Sequence, residues 1–414
     1  MTYAHSTRDT CRLCSSPDLT LVVDLPDTVP GEHLKETAGD KDPATLPISL
    51  YQCSSCGHVQ INSIPDPSSL FNDQYTFMPS NNPRIIEHFT STIEYFLENH
   101  NRDVRFAFEF GSNDGLFLNI LRKKTGCKVL GMDPSLPPVE AARERGIETI
   151  HDFFGQGAER EVVPNHGHPD LVIANNVFAH IDDLRSILAA VGNLLEDDGY
   201  FVFEVSNLLD IVDKYLIGTI IHEHLSHHSV HSLIPFLRSE GFQLAEVINV
   251  GHIQGGAIIC FARKTPKTTG NDTIDRFLKA ESDAGITSVK GMTAFNQRLK
   301  EKLSTFRGQL LDLPGEDNII AYGAARSAPF ILQLVGVDSR LSCCIDDNPS
   351  KTGKYLPISS ILIHPSSHLE TLHQPLNFLV TGWAQSTRII ESLGEKYQCN
   401  LATIFPEWDV QTSS

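Results

Sequence analysis

The residues best able to do chemistry lie in two places. Four cysteines form two CxxC pairs, Cys11 with Cys14 and Cys53 with Cys56. The segment IIHEHLSHHSVH sets His222, His224, His227, His228 and His231 within ten residues, with Glu223 between the first two. Two residues between cysteines let both thiolates converge on one side of a tetrahedral ion, and four thiolates leave zinc no open position. Cys11, Cys14, Cys53 and Cys56 are therefore expected to hold a structural Zn2+, with a redox or iron–sulfur role as the alternative. The nine cysteines are an odd number, and their tight pairing favours metal over disulfides, as in a reducing compartment. Cys127, Cys260, Cys343, Cys344 and Cys399 sit in or beside apolar runs and read as core thiols.

The histidine segment does not fit a metalloprotease helix, because HExxH would need histidine at position 226, where Ser226 stands. Imidazole titrates near neutrality, so the segment suits a general base. The plainer reading is a polar helix start with incidental histidines. Glu223 is placed to orient a neighbouring histidine or hold hydroxyls. His180, in NVFAHIDD, is a second candidate, expected to project near the edge that carries the next site.

That site begins at FEFGSNDG, which puts Glu109, Gly111, Asn113 and Asp114 between a strand and a helix. Gly111 permits the sharp turn and Gly115 a close backbone approach. The loop is not GxGxxG, and its carboxylates would repel a pyrophosphate while suiting an ammonium or hydroxyls. A strand ending in Asp133, about 20 residues on, is placed to accept from a ribose. Asp152 and Phe153 of HDFF are expected to flank an adenine, and Asn175 ends a further strand at the same edge. S-adenosylmethionine (SAM) carries an ammonium, a ribose and an adenine, and it is the cofactor these four loops together imply. A dinucleotide, or an ordinary βα turn with no cofactor, is the alternative.

The elements that position these loops follow from pattern. Apolar runs at 104–110, 128–133, 170–175, 199–205, 242–250 and 257–263 alternate with helical stretches, which reads as a parallel α/β sheet covered on both faces. A second α/β stretch begins at 318 and continues through 341–347 and 376–383. The expected architecture is α/β. A small zinc-ribbon-like module spans 1–65 and a helical bridge 66–100. A Rossmann-like class I methyltransferase domain spans 101–265, and a second Rossmann-like domain 266–414, opening with a polar linker helix. The net charge is −18, so nucleic acid is not an expected partner. No signal peptide and no run of about 18 apolar residues is present, so no membrane span is expected, and a cytoplasmic monomer is. Gly323, Arg326, Lys351 and Lys354 in the last domain offer either a pyrophosphate cradle or an ordinary turn with surface basic residues.

Taken in order, the cysteine pairs, FEFGSNDG, ANNVFAHIDD, HEHLSHHS, IQGGA, AYGAARSA and IDDNPSKTGKYLP resemble the sugar C-methyltransferases of deoxysugar biosynthesis, over nearly the whole chain. The resemblance implies an enzyme of antibiotic-type deoxysugar pathways. It would use SAM to methylate a carbon of a nucleotide-linked 4-keto sugar, at C-3′ or at C-5′. It implies His224 as the base that removes the proton beside the ketone, Glu223 and His180 as lining of the sugar site, and Tyr75 as a tyrosine supplied from the bridge. One departure stands out: the tyrosine that the family places before HEH is Ile221 here. Tyr75 or His222 would have to supply the missing donor, or the substrate differs. Two rivals follow: an O- or N-methyltransferase of a small molecule, and a non-catalytic binder of a sugar nucleotide.

Overall fold

The run FAFEF is buried at every position, as a strand covered on both faces must be. In the computed structural model, which describes residues 5–71, 75, 77–100, 103–251, 255–265, 271–315 and 319–412, it lies in the middle of a seven-stranded sheet. From edge to edge the strands are Phe242–Asn249, Ala257–Lys264, Tyr200–Ser206, Leu171–Asn175, Phe106–Phe110, Lys128–Asp133 and Thr149–His151. The last five run parallel. The first two do not. Phe242–Asn249 and Ala257–Lys264 form an antiparallel pair, and the second of them pairs antiparallel with Tyr200–Ser206. This corrects the expectation of a wholly parallel sheet. The link between the two strands is too short for a crossover helix, so only a hairpin can close it.

A second sheet follows in the order Ile363–His364, Leu341–Ile345, Ile319–Tyr322, Leu376–Val380, Cys399–Thr403 and Asp409–Gln411, parallel except for the last strand. In both sheets the first strand in chain order has neighbours whose connections leave in opposite directions. Such a switch point opens a crevice at the carboxyl edge. FEFGSNDG and AYGAARSA are the loops at these two points.

A third sheet joins them. Leu19–Val23, Leu50–Cys53 and Val59–Ile61 pair antiparallel, and the fourth strand is Ser226–His227, from the histidine segment. The apolar residues of this sheet do not form a core alone. Val22, Leu50 and Ile61 belong to one cluster with Ile217, Met292, Phe295, Leu299 and Phe330. The expected linker helix is two helices, Asp272–Asp283 and Val289–Leu311, and both are docked. Glu281 of the first accepts from the amides of Val230 and His231 (2.7 and 2.8 Å), which satisfies the start of helix Val230–Ser239. The bridge forms helix Pro83–Asn99, capped by Asn82, and its His88 meets Glu204 under the sheet at 2.5 Å.

One side chain ties these parts together. Arg12 lies inside the first CxxC turn with its guanidinium out of water. Its Nη1 donates to the carbonyls of Ile61 (2.6 Å) and Leu225 (3.1 Å), and its Nε to Asp182 Oδ1 (3.0 Å). Leu225 follows His224, and Asp182 lies two residues after His180. Arg12→Met should therefore strip the buried Ile61 carbonyl of this donor, break the ties to Leu225 and Asp182, and cost about 3 kcal/mol, seen as a lower urea midpoint. An unchanged midpoint would show that the guanidinium is not what holds these segments.

Candidate active site

The loop after Phe106–Phe110 turns at Gly111, with φ +63° and no room for a side chain: a Cβ would come within 2.2 Å of Val177. Asn113 also has positive φ, and its N–H donates to Asp133 Oδ2 at 2.9 Å. The other Asp133 oxygen accepts from Ser135 N–H at 2.9 Å. Burial raises the Asp133 pKa above its ordinary value. Glu109 lies deeper. Its Oε1 accepts from Asn175 Nδ2 at 2.8 Å, and its Oε2 is buried with no hydrogen-bond partner among the described residues. Burial pushes this carboxyl well above the usual range. Two buried acids, one with an orphaned oxygen, suit an ammonium and hydroxyls and oppose a phosphate.

The other expected cofactor residues fall at the same edge in different states. Asp114 is buried, but its carboxylate accepts from Ser80 N–H (3.2 Å) and pairs with Arg145 (3.3 Å), so it clamps the bridge to the loop. The Asn113 side-chain amide donates to Phe77 O at 3.0 Å. Asp152 is exposed and accepts from the next amide, and Phe153 is 48% exposed. The aromatic of that segment that packs is Phe154, stacked on Phe110 at 4.4 Å.

A short loop leads from Asn175 to His180, and here the base candidates gather. The His180 ring stacks on Phe71 (5.7 Å, 14°) and on His224 (5.1 Å, 16°). Phe71 in turn meets Tyr75 at 5.9 Å. His224 Nδ1 lies 2.6 Å from Thr219 O. A carbonyl only accepts, so Nδ1 carries the proton and Nε2 keeps its lone pair. Removal from water lowers the His224 pKa, so the ring is neutral at working pH. The turn that offers Thr219 is pinned: a Cβ on Gly218 would fall 2.2 Å from Nε1 of Trp383, in the turn that follows strand Leu376–Val380. Glu223 is paired with Arg326 Nη1 at 3.2 Å. His222 does not join the group. Its Nε2 is 3.1 Å from Leu46 O, which takes it away from the role of replacing the missing phenol.

The basic residues of the C-terminal loops are also occupied. Arg326 reaches Glu32 as well as Glu223, Lys351 pairs with Glu32, and Lys354 pairs with Glu36 at 3.0 Å. Their charge is balanced by acids, which favours the ordinary-turn reading over a pyrophosphate cradle. The turn itself copies the first sheet: Asp346 Oδ2 accepts from Ala324 N–H and Oδ1 from Asn348 N–H, both at 2.9 Å. The IQGGA motif is described only from Gly255 onward; Ile253 and Gln254 lie outside the described residues.

With this geometry in hand, three family models match the chain end to end. A zinc binding domain matches residues 11–71, a methyltransferase domain 84–247, and a C-methyltransferase C-terminal domain 252–406. The C-methyltransferase NovU of Streptomyces niveus is 29% identical over 391 residues, 93% of this chain and 92% of NovU. This chain is a SAM-dependent C-methyltransferase. Among solved structures, the magnesium protoporphyrin IX methyltransferase of Synechocystis PCC 6803, with bound SAM, is 13% identical. It aligns 47% of this chain with 86% of its own at a TM-score of 0.34, too low to argue from.

The methyltransferase's cysteines fit zinc. Cys11 Sγ to Cys56 Sγ and Cys14 Sγ to Cys53 Sγ are each 3.5 Å, and all four sulfurs lie within 4.8 Å of one another. A tetrahedron of thiolates ~2.3 Å from its centre has edges of about 3.8 Å. Glu109 and Asp133 fit SAM by the donor set described above. No helix among the described residues is long and apolar enough to cross a membrane. Sequence reasoning missed Arg12, Phe71, Thr219 and the Glu223–Arg326 pair. Only Arg12 carried a signal, as a charged residue inside a cysteine turn.

If Glu109 receives the SAM ammonium, its raised pKa has a measurable sign. Burial makes the carboxyl hold its proton to higher pH before binding, and it must ionise to pair with the cation. Binding should then release a proton and tighten as pH rises toward the Glu109 pKa. Calorimetry in buffers of different ionisation enthalpy reads the proton. In Glu109→Gln the release should vanish and SAM affinity fall roughly 10- to 100-fold.

Proposed function

We propose that this methyltransferase alkylates the carbon beside the ketone of a nucleotide-linked 4-keto-deoxysugar, at C-3′ in preference to C-5′. Carbon is a nucleophile only when it carries charge, so such an enzyme needs a neutral base, a donor for the ketone oxygen and a shielded cleft. The observation that carries the reading is the His224 tautomer: Nδ1–H is committed to Thr219, and Nε2 is left bare. His180, stacked against it, limits its swing and excludes water from one face.

The steps balance. His224 Nε2 takes the α-proton, the C–H pair becomes the enolate double bond, and the carbonyl pair moves to oxygen. SAM supplies, when bound, a sulfonium methyl that the enolate carbon takes, leaving S-adenosylhomocysteine and restoring the ketone. His224 then returns its proton to water. The residues' further task is alignment, with Glu223 and Tyr75 holding the sugar between the two crevices.

Mass spectrometry of a panel of nucleotide 4-keto-sugars incubated with enzyme and SAM tests the class. A gain of one methyl localised to carbon, with loss of deuterium placed on that carbon, is expected. A product that gains its methyl on oxygen or nitrogen and keeps the deuterium would refute the reading. His224→Gln should lower kcat by about 10²-fold or more.

The pH profile follows from the lowered His224 pKa. The base works only unprotonated, so kcat/KM should hold below the ordinary imidazole value of about 6.5 and fail only at lower pH. An acid limb at or above that value would remove His224 from the role.

A further inference from the structure

The loss of the usual tyrosine at position 221 leaves the enolate oxygen short of a donor, and the C-terminal half supplies an unexpected group nearby. Arg326 leaves the AYGAARSA turn, and its guanidinium carbon lies 5.2 Å from the centroid of the Tyr75 ring. The guanidinium thus lies against the face of the ring, as a cation–π contact. A guanidinium against the ring face offers no acceptor, so it leaves the phenol O–H free to donate elsewhere. Glu223 fixes the guanidinium from one side at 3.2 Å, and Glu32 flanks it at 3.8 Å. Tyr75 touches Phe71, which stacks on His180, which stacks on His224. The phenol is therefore linked by ring contacts to the base.

We infer that Arg326 is a positioning residue for Tyr75: it aims and polarises the phenol that donates to the developing enolate oxygen, in place of the phenol absent at Ile221. This rests on the α-deprotonation reading above. A phenol with a cation against its ring is a better donor through its own hydrogen, because electron density is drawn toward the cation and away from the O–H. The ion pairs with Glu223 and Glu32 keep the fork from turning to solvent or to a phosphate of the substrate. The device spans the chain: the phenol comes from the bridge, the carboxylates from the zinc module and the histidine segment, and the guanidinium from the last domain.

Two readouts separate this role from a substrate clamp and from a purely structural part. The probe is thymidine diphosphate 4-keto-6-deoxyglucose in D2O without SAM, with deuterium uptake at the carbons flanking the ketone followed by NMR. Wild-type enzyme should catalyse uptake; if it does not, the deprotonation reading fails for this probe, whatever Arg326 does. Given wild-type uptake, R326Q and Y75F should each slow it by about 10²-fold, and the double variant should be no slower than the worse single one. In turnover, with the sugar the panel identifies, R326Q should lower kcat with KM little changed, and R326K, which keeps the charge without the fork, should recover part of the loss. The inference is overturned if R326Q raises KM with kcat and uptake intact, or if the R326Q and Y75F effects multiply. SAM affinity by calorimetry, unchanged in R326K, guards against reading misfolding as chemistry.

Discussion

A guanidinium removed from water is stable only while all its partners are in place, and that constraint, at Arg12, governs the site. Arg12 sits in the turn that the metal closes, and its partners lie on the segments that carry His180 and His224. Taking such a charge out of water costs several kcal/mol unless its hydrogen bonds and counter-charge are present. The cysteine turn and the histidine segment therefore cannot be positioned independently. The pairing of Ser226–His227 with Val59–Ile61 reinforces this, because the chain just after His224 becomes a strand of the zinc module's own sheet. The metal acts at a distance: it shapes the turn that aims Arg12, and Arg12 holds the segments that hold the histidines.

The central strands were legible because burial on both faces leaves unbroken apolar runs, as in LVIAN and YFVFEVS. Direction was not. An antiparallel strand inside a covered sheet has the same composition as a parallel one, and only the shortness of the 251–256 link separates them. Ser226–His227 is a two-residue strand with no periodicity, so no pattern in the sequence could show that it joins the N-terminal sheet. At the site, residue types at turn positions could be read, and partners far apart in sequence could not. Glu223 was visible as an acid beside histidines, but its cation lies 103 residues away. His222 and His224 looked alike in the string, and backbone geometry sends one ring to Leu46 and the other to Thr219. Phe153 and Phe154 are likewise adjacent with opposite fates: in the irregular turn after Thr149–His151 the first is exposed and the second stacks on Phe110.

The two α/β sheets repeat one local solution. Asp133 ends the strand next to the first one and Asp346 directly follows its counterpart, and each carboxylate bridges the turn of the first strand to the residue two beyond itself. The bridge fixes the loop at a switch point before any ligand arrives. In the first sheet the carboxylate is buried above an orphaned Glu109 oxygen. In the second the surrounding cations are already paired with acids of the zinc module. The same turn thus lies beside two buried acids in one half and beside an anchoring surface of paired charges in the other, and the side chains placed around it make the difference.

The sequence separations of these contacts have a consequence for how the molecule comes into being. Arg12 meets Leu225 across 213 positions, Lys35 meets Ser360 across 325, and Glu223 waits for Arg326. Contacts so distant along the chain form slowly, since loop closure precedes any reward. On the ribosome, the seven-stranded sheet has all its strands once the hairpin at 242–264 emerges. Glu223 lacks its guanidinium partner until the final domain has been made and docked. A nascent or truncated chain thus completes its first sheet well before the acids of the histidine segment and the zinc module meet their cations.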